Sequence, residues 1–203
     1  RSAAIYLGGK GLSSSGLRWA SQIADVTGCR LIGETWPTRW ERGQGFPIVE
    51  PLPYFPDAAL EAFKGVETVV LAGADAPVSF FGYEGYPSVL IPETCQVMSL
   101  VGPEFDAVDA LSRLSDAVDG RIIDSLPARK RPVLPSGGTL NPAKLGQTIA
   151  AIQPEGSVVM NEGATSGFPY IAEAASALPH TYLTLSGGAI GQGMPCATGV
   201  AVA

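Results

Sequence analysis

Ala3-Ala4-Ile5-Tyr6-Leu7-Gly8-Gly9-Lys10-Gly11, running into an amphipathic stretch over residues 14–26, decides the fold of this 203-residue chain. An apolar run of five residues reads as a strand, the glycines as a tight turn, and Leu17, Ala20, Ile23 and Ala24 recur at helical spacing. Gly28 stops that helix, and Arg30–Gly33 makes a second short strand. Residues 34–56, with Trp36, Trp40, Tyr54 and Phe55 among prolines and glycines, read as a long loop packed by its aromatics. A short helix over 58–63, a buried strand over 66–72, strands over 88–91 and 95–101, and a helix over 105–118 continue the alternation. On that helix Val108, Leu111, Leu114 and Val118 form one stripe. Repeated strand–helix alternation predicts an α/β fold with a doubly wound parallel sheet.

The Pro-, Gly- and charge-rich piece from Leu126 to Gly138 marks a boundary. Residues 1–125 are expected to form the first domain, 126–140 a linker, and 141–203 part of a second α/β domain. Arg129-Lys130-Arg131 reads as a solvated linker triplet, with an anion patch as the other option. Past the linker the pattern begins again. Asn141 caps a helix that carries Pro142 at its first position and runs to about Ile152. Ser157–Met160 is a strand, residues 161–167 a small polar turn, 168–178 a helix and 181–185 a strand. A glycine-rich loop and the start of an apolar helix follow. The chain opens within two residues of a strand and closes in an apolar run without cap or basic last turn, so it is expected to be a piece of a longer protein.

Composition narrows the function. The net charge of -6 excludes a basic face for nucleic acid, and 46% hydrophobic against 16% charged residues excludes intrinsic disorder. Cys29, Cys95 and Cys196 are odd in number and lack a CxxC, so they read as buried free thiols of a reducing, cytoplasmic compartment. With His180 as its one histidine, the chain holds no His-rich metal cluster, and no metal ligands are assigned. No Asp, Glu, Lys or Arg occurs from residue 174 to 203, but the glycines and prolines there break any membrane span. His180 reads as a surface or capping imidazole.

Two loops follow strands and precede helices, at the sheet edge where backbone amides collect ligands. Gly163, Ala164 and Thr165 offer amides without bulk, suited to a phosphate or diphosphate, although an ordinary capped turn fits equally. Glu162 beside them would repel an anion and is expected to be turned outward or hydrogen-bonded. In the second loop Gly187, Gly188, Gly191 and Gly193 let the backbone approach a flat ligand, with Ile190 projecting at it. In the first domain Gly8-Gly9-Lys10-Gly11 is either a structural turn or a nucleotide site. It lacks a full GxGxxG, and no acidic residue clearly closes the second strand to bind ribose.

The stretch Leu185-Ser186-Gly187-Gly188-Ala189-Ile190-Gly191-Gln192-Gly193-Met194-Pro195-Cys196-Ala197-Thr198-Gly199, preceded by Met160-Asn161-Glu162-Gly163, resembles thiamine diphosphate enzymes. The acetolactate synthase and benzoylformate decarboxylase branch is the nearest match. The resemblance implies that the first domain corresponds to that family's central Rossmann-like domain, which holds FAD or ADP in some members. Residues beyond about 137 would be the first half of the diphosphate-binding domain. It implies that Gly163, Ala164 and Thr165 donate to the cofactor's diphosphate and that the Gly188 carbonyl accepts from its 4'-amino group. Ile190 would be the catalytic wedge that bends the cofactor, bringing the 4'-imino nitrogen near the thiazolium C2–H.

By the same resemblance the full-length protein would use thiamine diphosphate and Mg2+ on a small 2-oxo acid, by non-oxidative decarboxylation or carboligation, as a homodimer or homotetramer. The short spacing from Gly188 to Pro195 is closer to benzoylformate decarboxylase than to acetolactate synthase. Ala164 stands where relatives often carry a polar side chain. The activating acid of the pyrimidine domain and the Gly-Asp-Gly…Asn segment that holds magnesium are not among these residues, so the chain alone is expected to be inactive and to bind the cofactor poorly. The alternative is a non-catalytic FAD- or ADP-binding, or oligomerisation, α/β module.

Overall fold

The structure, a computed structural model, describes residues 2–123 and 125–203. Arg1, and Asp124 beside the expected domain boundary, lie outside the described residues. The backbone gathers into two compact units, Arg1–Thr35 with Ile48–Ile123, and Trp36–Pro47 with Asp124–Ala203.

The first unit holds β1 (Ala3–Leu7), α1 (Ser14–Thr27), β2 (Arg30–Gly33), β4 (Glu50–Pro51), α2 (Pro56–Ala62), β5 (Thr68–Ala72), β6 (Gln96–Val101) and α3 (Ala107–Ala117). β3 (Trp40–Arg42) belongs to the second unit. The five strands form one parallel sheet in the order β4-β2-β1-β5-β6. β1 is central, and Ala4, Ile5, Tyr6 and Leu7 are all buried, which is why it reads as continuous apolar sequence rather than an alternation. Ala4 and Tyr6 join Phe63, Ala59 of α2, Leu52 and Val69 in one core cluster. Leu7 and Leu111 of α3 close over Gly11, where α1 and α3 pack together. A buried polar bridge lies there: the Ser115 hydroxyl donates to Gln22 Oε1 at 3.0 Å. Helices on both faces make the sheet doubly wound.

Local signals in the sequence account for the ends of these helices. Ser13 Oγ accepts from Gly16 N, and Gly28 takes the left-handed conformation (φ 71°) that closes α1. Asp106 accepts from two amides at the start of α3. The strand expected over residues 88–91 is reduced to an isolated bridge between Val78 and Val89, because the chain there lies in a loop with no neighbouring strand to extend it.

The second unit holds β3 (Trp40–Arg42), α4 (Pro142–Ile152), β7 (Ser157–Met160), α5 (Ala164–Ala174), β8 (His180–Leu183) and α6 (Gly193–Val202). Its sheet runs β3-β8-β7, with β8 antiparallel to β3 and parallel to β7. Asn141 accepts from Lys144 N to start α4. Where α4 crosses α5, the bare backbone of Gly146 lies against Tyr170 N, and a methyl there would sit 2.6 Å from that nitrogen.

Several expectations for this region are corrected. The loop over 34–56 is not structureless, since Trp40–Arg42 pairs with β8 and Glu50–Pro51 with β2. Trp36 and Trp40 fall in the second unit, and Tyr54 and Phe55 in the first. Arg129 is not a solvated linker residue: its guanidinium donates to the carbonyls of Ala175 (3.0 Å), Phe46 (3.0 Å) and Gly43 (2.5 Å). A planar fork of donors suits three converging carbonyls, and basic composition alone does not reveal that geometry. The three cysteines are free but only half-buried, and the Cys95 thiol donates to Val66 O. Among the described residues no helix is long and apolar enough to cross a membrane.

Candidate functional site

In the second unit, two segments with free backbone groups follow β7 and β8. The first begins at Asn161, whose side chain builds the turn: Oδ1 accepts from Gly163 N at 2.8 Å, and Nδ2 donates to Gly167 O (3.1 Å) and to the Tyr182 hydroxyl (3.0 Å). The Gly163 carbonyl accepts from Ser166 N and Gly167 N, so α5 starts at Ala164 rather than near residue 168. Three consequences follow for the expected donors. The Gly163 amide is already engaged. Among the described residues, the Ala164 and Thr165 amides have no acceptor and stand exposed at the start of an eleven-residue helix. Ala164 holds φ at 38°, a conformation that costs a side-chain-bearing residue ~1–3 kcal/mol and collects at functional sites. Beside the turn opens a cleft of about 200 Å³, lined by Ile149, Met160, Asn161, Ser166 and Tyr170 among others.

The second segment is the glycine loop after β8. Gly187, Gly188 and Gly191 all have positive φ (62°, 71° and 93°), so the loop needs glycine there for its backbone path. Gly193 does not. Its missing side chain instead makes room for the Glu162 carboxylate, which a methyl at 193 would overlap. Ile190 is 92% exposed, and among the described residues the Gly188 carbonyl accepts no hydrogen bond. Glu162 accepts from Gly191 N and, at 2.6 Å, from Gly193 N, which ties the two segments together. A hydrogen-bonded role was expected for Glu162; its partners lie 29 and 31 residues away, beyond what the linear pattern reveals.

In the first unit, the Gly8-Gly9-Lys10-Gly11 turn does not fit a dinucleotide diphosphate. Glu34 directly follows β2, and its Oε1 accepts from Gly9 N at 3.0 Å, occupying the amide that a phosphate would need. Burial pushes the Glu34 carboxyl above its usual range. A methyl at Gly8 would lie 2.6 Å from Ala74 Cβ and 2.8 Å from Gly73 O, so the turn packs closely against the segment after β5. The absence of an acidic residue at the end of the second strand is thus corrected, though this one is turned inward onto the turn.

Over 201 residues the chain is 42% identical to a Mycobacterium tuberculosis (strain ATCC 25618 / H37Rv) protein described as "Putative acetolactate synthase large subunit IlvX", a match covering 99% of this chain and 39% of that protein. Along nearly its whole length the chain is similar to one part of this acetolactate synthase large subunit-like protein. No family model matches it. Its fold agrees with the thiamine diphosphate-dependent 4-hydroxybenzoylformate decarboxylase of Rhodococcus jostii RHA1 (TM-score 0.70, 18% identity, 99% of this chain and 41% of that one). It agrees also with benzoylformate decarboxylase from Polynucleobacter necessarius (TM-score 0.66, 16% identity, 100% of this chain and 40% of that one). The chain spans about two fifths of the length of each. These similarities do not favour a free-standing nucleotide-binding or oligomerisation module.

The second unit also holds a buried polar cluster that the sequence did not announce. Arg42 stacks on Trp40 (4.3 Å) and Tyr182 (5.5 Å) and donates to Ile171 O. Burial lowers its guanidinium to about 10. His180 is not a surface imidazole: it is 2% exposed, and its Nδ1–H donates to Leu178 O at 2.8 Å. Burial, with Arg42 nearby, holds its pKa below the usual 6.5, against the opposing pull of the Leu178 carbonyl and, less, of Glu41. The folded state therefore resists a proton that the unfolded chain accepts. The His180 contribution to stability is complete above pH 6.5 and is lost as pH falls below that value toward the lowered pKa. Urea unfolding across this window is expected to show a midpoint that drops in the wild type, with the His180-dependent part of the drop missing in His180→Asn.

Proposed function

We propose that the chain is the central domain plus the first half of the diphosphate-binding domain of a longer thiamine diphosphate- and Mg2+-dependent enzyme. That enzyme breaks or joins the carbon–carbon bond next to the carbonyl of a 2-oxo acid. The observation that carries the reading is Ile190: a large aliphatic side chain left almost wholly exposed, on a loop of left-handed glycines, beside a turn with two open amides. An isolated exposed isoleucine has no folding advantage, whereas a cofactor seated against the glycine loop would bury it.

The residues fit the group. Ala164 and Thr165 would donate to the diphosphate, helped by the positive end of α5. Gly163 acts as the capping residue and contributes its carbonyl to the helix instead of its amide to the ligand. Gly188 would accept from the 4'-amino group, and Ile190 would support the bent form. When bound, thiamine diphosphate would supply an acidic C2–H and a cationic thiazolium ring that can take up the electron pair of the breaking bond. The chain's own part is to hold and orient, by amides, one carbonyl and one aliphatic surface. Among the described residues no three His, Cys, Asp or Glu side chains are placed to hold a metal ion, so Mg2+ would be held with ligands from outside this chain.

Calorimetry on the full-length protein that carries this chain tests the reading, with thiamine diphosphate plus Mg2+, FAD and ADP as separate titrants. Saturable Mg2+-dependent binding of thiamine diphosphate and release of carbon dioxide or a coupled product from a 2-oxo acid panel are expected. Tight FAD or ADP binding with no thiamine diphosphate binding would overturn it.

A further inference from the structure

We propose that Glu162 is a positioning residue whose carboxylate clamps the Ile190 loop to the anion-facing turn, so that the wedge and the diphosphate subsite are held as one body. The inference rests on the proposed cofactor site and adds a residue to it. Glu162 immediately precedes Gly163, the residue that caps α5, so its backbone is fixed by the turn whose amides stand open at Ala164 and Thr165. Its side chain reaches across to the second loop and accepts from Gly191 N and from Gly193 N at 2.6 Å. Those amides bracket Gln192, directly after Ile190, and Gly193 is the first residue of α6. The loop is pinned from its other side by Gln192, whose Oε1 accepts from Ser186 N at 3.0 Å.

Charge and space both favour the clamp. No Asp, Glu, Lys or Arg occurs from residue 174 to 203, so no cation on the glycine loop or α6 competes for the carboxylate. Bonds from neutral amides to an ionised acceptor are roughly twice as strong as neutral pairs, and the start of α6 adds its dipole. Gly193 is the sterically required partner, since a β-carbon there would stand 2.9 Å from Glu162 Cβ. Left-handed glycines at 187, 188 and 191 give the loop freedom to wander. A two-point carboxylate anchor is what removes it.

The test uses the full-length protein as wild type, Glu162→Gln and Gly193→Ala. Gln keeps the size but can accept at only one atom and sets its NH2 against an amide donor. In the cofactor-free protein, hydrogen exchange of the segment over 189–195 is expected to quicken ~10-fold or more in both variants. In the loaded enzyme kcat is expected to fall ~10- to 100-fold while the Kd for thiamine diphosphate changes ~3-fold or less, as for lost orientation rather than lost binding. The near-UV circular dichroism of the bound cofactor should change with it. Unchanged exchange would overturn the clamp. Faster exchange with unaltered kcat and dichroism would overturn the positioning role and leave only a structural bond. If the wild type binds no thiamine diphosphate, the positioning role falls together with the proposed function, and the exchange result alone survives.

Discussion

Ile190→Ala in the full-length protein is expected to lower kcat by on the order of 10²-fold while the Kd for thiamine diphosphate changes by roughly 3-fold or less. The asymmetry is the informative part. Ile190 is 92% exposed and makes no hydrogen bond, so its removal takes nothing from the protein's own folding. The diphosphate would be held at Ala164 and Thr165, on a different segment, and affinity should survive. What is lost is the aliphatic surface that supports the bent form, and a misplacement of about 1 Å at a reacting centre is enough for a loss of this size. Ile190→Leu, which conserves volume, is expected to retain most of the turnover. Steady-state kinetics beside calorimetry reads both quantities. Equal losses in kcat and affinity would make Ile190 a binding contact and not a wedge.

Asn161→Ala should act in the opposite way, on affinity and stability together. The side chain makes three hydrogen bonds, to Gly163 N, Gly167 O and the Tyr182 hydroxyl. At about 1 kcal/mol each, their loss destabilises the second unit by ~2–4 kcal/mol, more where a partner is left buried and unpaired. The same loss frees the Gly163 amide and loosens the start of α5, where Ala164 already sits at φ 38°. The Kd for thiamine diphosphate is therefore expected to rise ~10-fold or more, with urea unfolding showing the stability loss in the cofactor-free protein. A variant with normal stability and normal affinity would remove Asn161 from the account.

The parallel sheet was legible because its signals are local. β1 and β5 are unbroken apolar runs, and Ser13, Gly28, Asn141 and Pro142 punctuate helices by chemistry that acts within four residues. β3 was not legible. A three-residue strand, Trp-Glu-Arg at 40–42, has no periodicity to display and exists because His180–Leu183 lies ready to pair with it some 140 residues later. His180 was misread for a related reason. A histidine after a proline carries no local mark of burial, and its environment is set by Arg42 of β3 and Tyr170 of α5.

At the candidate site the residue types were readable but their division of labour was not. The four glycines of the second loop look alike in sequence, yet three are there for backbone conformation and Gly193 for the space that Glu162 fills. Gly163, Ala164 and Thr165 look like three equivalent donors, yet the Asn161 carboxamide removes the first and leaves two. Glu34 shows the reverse: it stands directly after Gly33, yet nothing in the linear pattern marks it as closing β2, and only the structure shows it folded back on Gly9.

The most direct measurement is an experimental structure of the full-length protein crystallised with thiamine diphosphate and Mg2+. The account predicts the cofactor in its bent form against Ile190, its 4'-amino group donating to the Gly188 carbonyl and its diphosphate on the Ala164 and Thr165 amides. Ile190 turned into the protein interior, with the cofactor seated elsewhere or not at all, would contradict it.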